Sequence, residues 1–242
     1  MVRSRLPALG GFAAVIALGW LYLARMNAGM THMIMPALTP GLGEQFLSAF
    51  VMWSVMMAAM MLPSELPAAA MFETLARRRD PGMSAPALFY GAGYIAAWGG
   101  YSAAAAIWQV ALSRAVLLTP MLQSASVALS AVILLGAGAF QFSPLKEACL
   151  TKCRTPLAFF LAEWRDGKGG ALILGLRHGA YCVGCCWALM AVMFVTGAMN
   201  LLWMAILTLI VLGEKVTPAR WRFRQAAGVM LVLWGLAVAA SV

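Results

Sequence analysis

Charge is what this chain has least of. Of its 242 residues only 10% are Asp, Glu, Lys or Arg, while 63% are hydrophobic. A water-soluble domain of this length carries about 25% charged residues, so that class is excluded. The deficit is sharpest in acids, with 8 carboxylates against 17 Lys and Arg and a formal net charge of +9. There is no basic helix with interleaved aromatics, and the excess charge therefore does not point to nucleic acid. Also missing are a P-loop, a dinucleotide fingerprint, a nucleophile elbow and an HExxH zinc motif, which argues against ATP-driven work and against an enzyme of those kinds. No internal repeat supports an inverted-repeat transporter.

What the chain does have is apolar runs of about 20 residues, the length that crosses a bilayer. They fall near 8–24, 46–72, 86–113, 117–142, 171–197, 200–213 and 226–242. The expected fold class is all-α, a polytopic transmembrane helix bundle forming a single membrane domain over 1–242. Seven spans are expected, with six as the alternative because the sixth run is short. Arg3 and Arg5 precede the first run and Arg25 follows it, which reads as an uncleaved span rather than a removed leader. Pro63 and Pro67, four apart, are expected to kink or end the second helix.

The placement of cations orients this layout. With the N-terminus inside, fourteen Lys and Arg lie in inner loops and only Arg25 and Arg114 lie outside, with Arg177 inside the fifth run. That asymmetry puts the C-terminus outside and the protein, as a multi-pass chain, in the inner (cytoplasmic) membrane among lipid. Gly91, Gly93, Gly99, Gly100 and Ala103 to Ala106 supply small residues for helix packing.

The chemistry lies in sulfur. Methionine occurs 18 times. Met26, Met30, Met33 and Met35 gather with His32 in an expected outer loop, where packing alone gives little reason for them. Met52, Met56, Met57, Met60 and Met61 crowd the second span. Thioethers are soft ligands suited to Cu(I) and need no deprotonation. For a single methionine, flexible core filler remains the commoner role.

The densest constellation is in the fifth run. His178, Cys182, Cys185 and Cys186 are spaced i, i+4, i+7 and i+8, so they share one helical face, and Met190 extends the stripe. One cysteine there would read as a small buried hydrophobe. Three in five residues beside His178 and Arg177 read as a metal site, because ionisable groups within a bilayer are expensive. By depth, Met56, Met57 and Met60 fall level with these cysteines if the two helices are neighbours. Gly179 and Gly184 would admit another backbone.

Cys149 and Cys153 form an i, i+4 pair in an expected inner loop. Lys146, Lys152 and Arg154 beside them should favour thiolates. Glu65 and Glu214, at or inside the membrane, join Arg177 as candidates for proton handling or for supporting the site. The order outer Met/His, middle Cys/Met, inner Cys/Cys offers a moving soft ion three stations without fixing its direction.

Four stretches resemble a bacterial family of predicted metal-binding integral membrane proteins: Trp53 to Ser64 (WSVMMAAMMLPS), Lys146 to Leu157 (KEACLTKCRTPL), Gly175 to Met190 (GLRHGAYCVGCCWALM) and Met199 to Lys215 (MNLLWMAILTLIVLGEK). The resemblance implies a membrane metal-binding protein carried by His178, Cys182, Cys185 and Cys186, with Cys149 and Cys153 as a second motif.

These readings converge on a soft-metal protein that transports copper, as Cu(I), or delivers it to a partner such as a metallochaperone or a cuproenzyme. Zinc and nickel would leave the thioethers unused. The alternative is an intramembrane thiol-disulfide oxidoreductase using Cys182 and Cys185, which leaves the methionine loop without a role. A bundle this small has reason to form a homo-oligomer if it encloses a pore.

Overall fold

The two prolines expected to kink or end the second span do not end it. In the computed structural model, which describes residues 6–30, 41–119, 122–218 and 222–241, α2 runs unbroken over Leu42–Arg79 with Pro63 and Pro67 inside it. A proline lacks the N–H that the carbonyl four residues earlier needs. For Pro63 that carbonyl belongs to Ala59, and the indole Nε1 of Trp20 donates to it at 3.1 Å. Trp20 lies on α1 (Leu6–Met30), whose Gly19 lets it press against Ala59. A neighbouring helix thus supplies the donor that the sequence removed.

The remaining elements are α3 (Pro86–Arg114), α4 (Val127–Phe140), α5 (Pro144–Arg154), α6 (Pro156–Glu163), α7 (Gly167–Ala191), α8 (Met193–Thr196), α9 (Leu201–Val216) and α10 (Phe223–Ala239). Their starts follow local chemistry. Ser126, Ser143 and Asn200 accept hydrogen bonds from first-turn amides of α4, α5 and α9. Proline opens α3, α5 and α6, where its missing N–H is harmless. Gly197, at φ +89°, ends α8.

The described residues form an all-helical chain apart from one isolated bridge between Leu118 and Ser124. That bridge sits inside the expected fourth span, which therefore begins ten residues late, at Val127. Fourteen residues of α4 rise only about 21 Å. Helix α5 continues it after a bend of 63°, so the two together make one broken span or a re-entrant element. By length and apolarity three helices can cross a membrane, namely Gly10–Ala28 within α1, Leu42–Arg79, and Gly167–Thr196, which joins α7 to α8. The α4–α5 pair is a fourth if counted as one span. The count of seven expected from apolar runs is thus reduced, since α3 has the length but not the apolarity, and α9 and α10, with 16 and 17 residues, are short.

Helices α3 and α7 form the closest pair. An added Cβ at Gly175 would stand 1.9 Å from the Tyr90 carbonyl oxygen, and one at Gly179 would stand 2.9 Å from that of Tyr94. The two contacts advance together by one turn, so α3 and α7 run parallel. Gly93 receives the Leu172 carbonyl in the same way, at 2.0 Å. Glycine permits backbones to touch here, as small-xxx-small pairs do in membrane bundles. Gly175→Ala should force the helices apart and destabilise the fold by about 3 kcal/mol. Gly100→Ala, where a Cβ meets nothing within 4 Å, should change it by less than about 0.5 kcal/mol. Thermal unfolding of the two purified variants checks this.

Helix α2 turns tightly into α3 and lies antiparallel to it, hence antiparallel to α7 as well. Helices α4 and α10 pack together through Gly138 and Gly228, and Trp203 stacks on Trp234 to join α9 to α10.

Candidate metal centre

Helix α7 turns His178, Cys182, Cys185, Cys186 and Met190 inward, all fully buried. The periodic face is therefore a core face. Its polar members divide between two adjoining groups.

The first group is sulfur. The Sγ atoms of Cys153, Cys182 and Cys185 all lie within 4.8 Å of one another. Cys186 Sγ is 3.2 Å from Cys185 Sγ, and the Tyr94 hydroxyl donates to Cys182 Sγ at 3.1 Å. Cys153 comes from α5, not α7. As a residue it keeps some exposure, but its thiol turns inward to sulfurs that have none. This corrects the expected inner loop. Helix α5 is folded against α7, and Cys149 lies level with Gly184, where an added Cβ would meet its Sγ at 2.9 Å. The inner Cys/Cys station and the middle station of the sequence reading thus merge into one centre. Cys153 belongs to that centre, and Cys149 borders it.

Two of the three cations expected to favour thiolates on α5 are engaged elsewhere. Lys146 Nζ lies 2.7 Å from Glu214 Oε2, with both side chains fully buried. Arg154 donates to the Glu214 carbonyl at 2.8 Å and lies 3.7 Å from Glu147, which also takes Arg224 at 3.1 Å. Glu214 therefore ties α9 to α5 and does not pair locally with Lys215.

The second group is polar. Glu65 of α2 is buried, and its Oε1 lies 2.9 Å from His178 Nδ1. The Tyr90 hydroxyl bridges the same carboxylate and the same ring nitrogen. Lys215 of α9 donates to Ser64 Oγ at 2.8 Å and lies 3.9 Å from Glu65 Oε2. His178 sits among Tyr90, Tyr94, Phe159 and Phe160, the last two from α6. Its Nε2 is buried with no hydrogen-bond partner among the described residues. The imidazole lies one helical turn from Cys182 and is outside the three-sulfur cluster.

Met56, Met57 and Met60 are fully buried on α2. Helix α2 packs chiefly on α3 and α1, and its Glu65 reaches across to His178 of α7. On a helix of 100° per residue, Met61 is about 40° and Met57 about 80° from the Glu65 direction, while Met60 and Met56 are turned roughly 140–180° away. Met61 thus stands closer to the Glu65 face than the three methionines singled out from sequence. Met57 also lines a cavity of about 240 Å³ between α2 and α3, together with Tyr94 and Trp98.

Other expected residues lie apart. Arg177 is half-exposed and pairs with Glu163 at 2.6 Å. Met26 and Met30 belong to α1 and not to a loop, and Met26 packs partly buried against the core. His32, Met33 and Met35 lie outside the described residues.

The sequence reading missed Tyr90, Tyr94, Phe159, Phe160 and Lys215. Two signals were present. Tyr90 and Tyr94 are spaced i, i+4 on an apolar helix, and Gly175-x-x-x-Gly179 matches them across the interface.

Fold and site together define a helical protein with a buried sulfur centre that fits a soft metal ion such as copper. A family model described as PpoB2, copper chaperone, matches residues 50–238, and the chain belongs to that family. The matched span contains every residue of both groups. No curated protein and no solved structure matches the chain.

Proposed function

We propose that this protein is a membrane-embedded copper chaperone that holds Cu(I) between Cys153, Cys182 and Cys185 and hands it to a cuproenzyme. The observation that carries the reading is the meeting of three buried thiols from two helices within 4.8 Å. Thiolates are the soft donors that select Cu(I), and three at this spacing suit trigonal binding. Cys186, next to Cys185, offers a neighbouring sulfur for exchange during transfer. Copper here is cargo. Delivery is favoured over net transport because one centre, rather than a ladder of stations, collects the cysteines.

The membrane setting is supported by the exterior. Large apolar side chains stand exposed around the bundle, among them Leu18, Ile107, Trp108, Val132, Leu209 and Leu233. A contiguous apolar exterior belongs against lipid. The cytoplasmic membrane and an inward N-terminus rest on the cation asymmetry.

The test is copper analysis of protein purified from copper-fed cells, followed by transfer to a chelator. The wild type should carry about one Cu(I) per chain, and the triple variant Cys153→Ser/Cys182→Ser/Cys185→Ser almost none. Equal copper in both would end the reading. A Cys182–Cys185 disulfide that forms only with quinone present, in copper-free membranes, would favour the redox alternative instead.

A further inference from the structure

The sheltered hydroxyls and indoles of the described residues find partners, with two exceptions that share a cavity. Thr74, Ser102 and Thr208 each donate at 2.8 Å to the carbonyl four residues back on their own helix. The indole of Trp53 donates to Gln109 Oε1 at 2.7 Å, and that of Trp20 to the Ala59 carbonyl at 3.1 Å. Ser54 of α2 and Trp98 of α3 do not follow. Ser54 Oγ and Trp98 Nε1 are buried and have no hydrogen-bond partner among the described residues, and Trp98 as a whole is only 3% exposed. In lipid no solvent can make up such a deficit, and each unsatisfied group is costly.

Both residues line the cavity of about 240 Å³ between α2 and α3. Most of its wall is apolar, with Phe50, Met57, Leu62 and Ile95, so a cluster of waters would be poorly held there. Ile95 is exposed on the outside of the bundle, while Met57 and Tyr94 are buried, so the cavity runs from the apolar exterior into the core. Its volume exceeds the roughly 150 Å³ void that holds benzene and falls short of the ~300 Å³ at which pockets for drug-sized ligands begin. One substituted six-membered ring fits. An indole N–H only donates and a serine hydroxyl can donate, so the missing partner is an acceptor. Tyr94 is not free to serve the guest, because its hydroxyl already donates to Cys182 Sγ at 3.1 Å.

We propose that this cavity binds the ring of a quinone dissolved in the membrane. The ring enters sideways between α2 and α3, and its carbonyl oxygens accept from the Trp98 N–H and the Ser54 O–H. The ester carbonyl of a phospholipid offers the same acceptor, but it brings two chains and a headgroup, which this volume does not hold. The bound ring lies one side chain, Tyr94, away from the sulfur centre. The step is binding alone, with no electron moved, and it needs no copper.

The experiment is titration calorimetry on copper-free protein in phospholipid nanodiscs, with empty nanodiscs as the blank for partition into lipid. The probe is a 1,4-benzoquinone carrying a decyl chain, and its control is decylbenzene. Wild type should bind the quinone saturably and decylbenzene at least about tenfold more weakly, because two hydrogen bonds are lost. Trp98→Phe and Ser54→Ala should each weaken quinone binding about fivefold. Gly99 lines the cavity, and a Cβ added there meets nothing within 4 Å, so Gly99→Leu can fill the space without a clash. Ala58→Leu fills it from the opposite wall. Both should weaken binding at least about tenfold, while Gly136→Leu, an equally open glycine on α4, should bind as wild type does. Absence of saturable binding to wild type would overturn the proposal, since lipid, in vast excess in the nanodisc, or water would then hold the cavity. Decylbenzene binding as tightly as the quinone would overturn it too, as would all four cavity variants binding within about twofold of wild type. None of these outcomes bears on copper content, so the copper reading stands or falls separately.

Discussion

Cys153→Ser should weaken Cu(I) binding by about a hundredfold, or ~2.8 kcal/mol, while Cys149→Ser leaves affinity within about threefold of wild type. The two cysteines lie on one short helix, in one motif, four residues apart. Sequence treats them alike, and the structure separates them. Cys153 Sγ lies within 4.8 Å of Cys182 and Cys185. Cys149 Sγ instead fills the notch left by Gly184. Serine is nearly isosteric with cysteine but is a hard, weakly acidic ligand that does not replace a thiolate on Cu(I). Competition with a chromophoric chelator measures both variants. Equal losses would mean that α5 carries a separate site formed by both cysteines, as its i, i+4 spacing alone suggested.

The second large effect concerns stability. Lys146 and Glu214 are fully buried and lie 2.7 Å apart, each the other's charged partner among the described residues. Removing one partner leaves a bare charge in the core. Lys146→Met and Glu214→Leu should therefore each destabilise the fold by about 3–5 kcal/mol. The double variant exchanges a charge pair for apolar bulk and should recover most of that loss. Because this pair helps hold α5 against α9, each single variant should also release Cys153 and lower copper occupancy, and the double variant should restore it. Thermal unfolding with copper content read on the same samples tests both statements. A double variant as unstable as the worse single would show that the pair acts separately, through other contacts.

The sequence revealed the helices better than their membership in the site. Apolar runs located six of the ten described helices within a few residues, because a run of apolar residues must find an apolar environment whatever its neighbours are. The run at 117–142 misled for the same reason. Its first ten residues mix leucines with Thr119, Gln123, Ser124 and Ser126, and the described ones among them hold a bridge between Leu118 and Ser124 and no helix, since average hydropathy carries no hydrogen-bond geometry. Pro63 does not end α2, because the rule concerns one helix and the donor that meets the Ala59 carbonyl, Trp20, lies on another, 39 residues from Ala59. Lys215 went unnoticed because nothing local marks it. Its meaning lies in Ser64 and Glu65, brought to it by packing.

The order of residues alone determined that the chain is helical and apolar, and that His178, Cys182, Cys185 and Cys186 face one way, because 3.6-residue periodicity is a local property of the backbone. Only the tertiary structure decided which sulfur from elsewhere completes the cluster, that Glu65 rather than a cysteine meets His178, and that Lys215 reaches Ser64 and Glu65. Those are through-space relations between segments far apart in sequence, and they are set by close packing at Gly175 and Gly179 and by the buried pairing of Lys146 with Glu214.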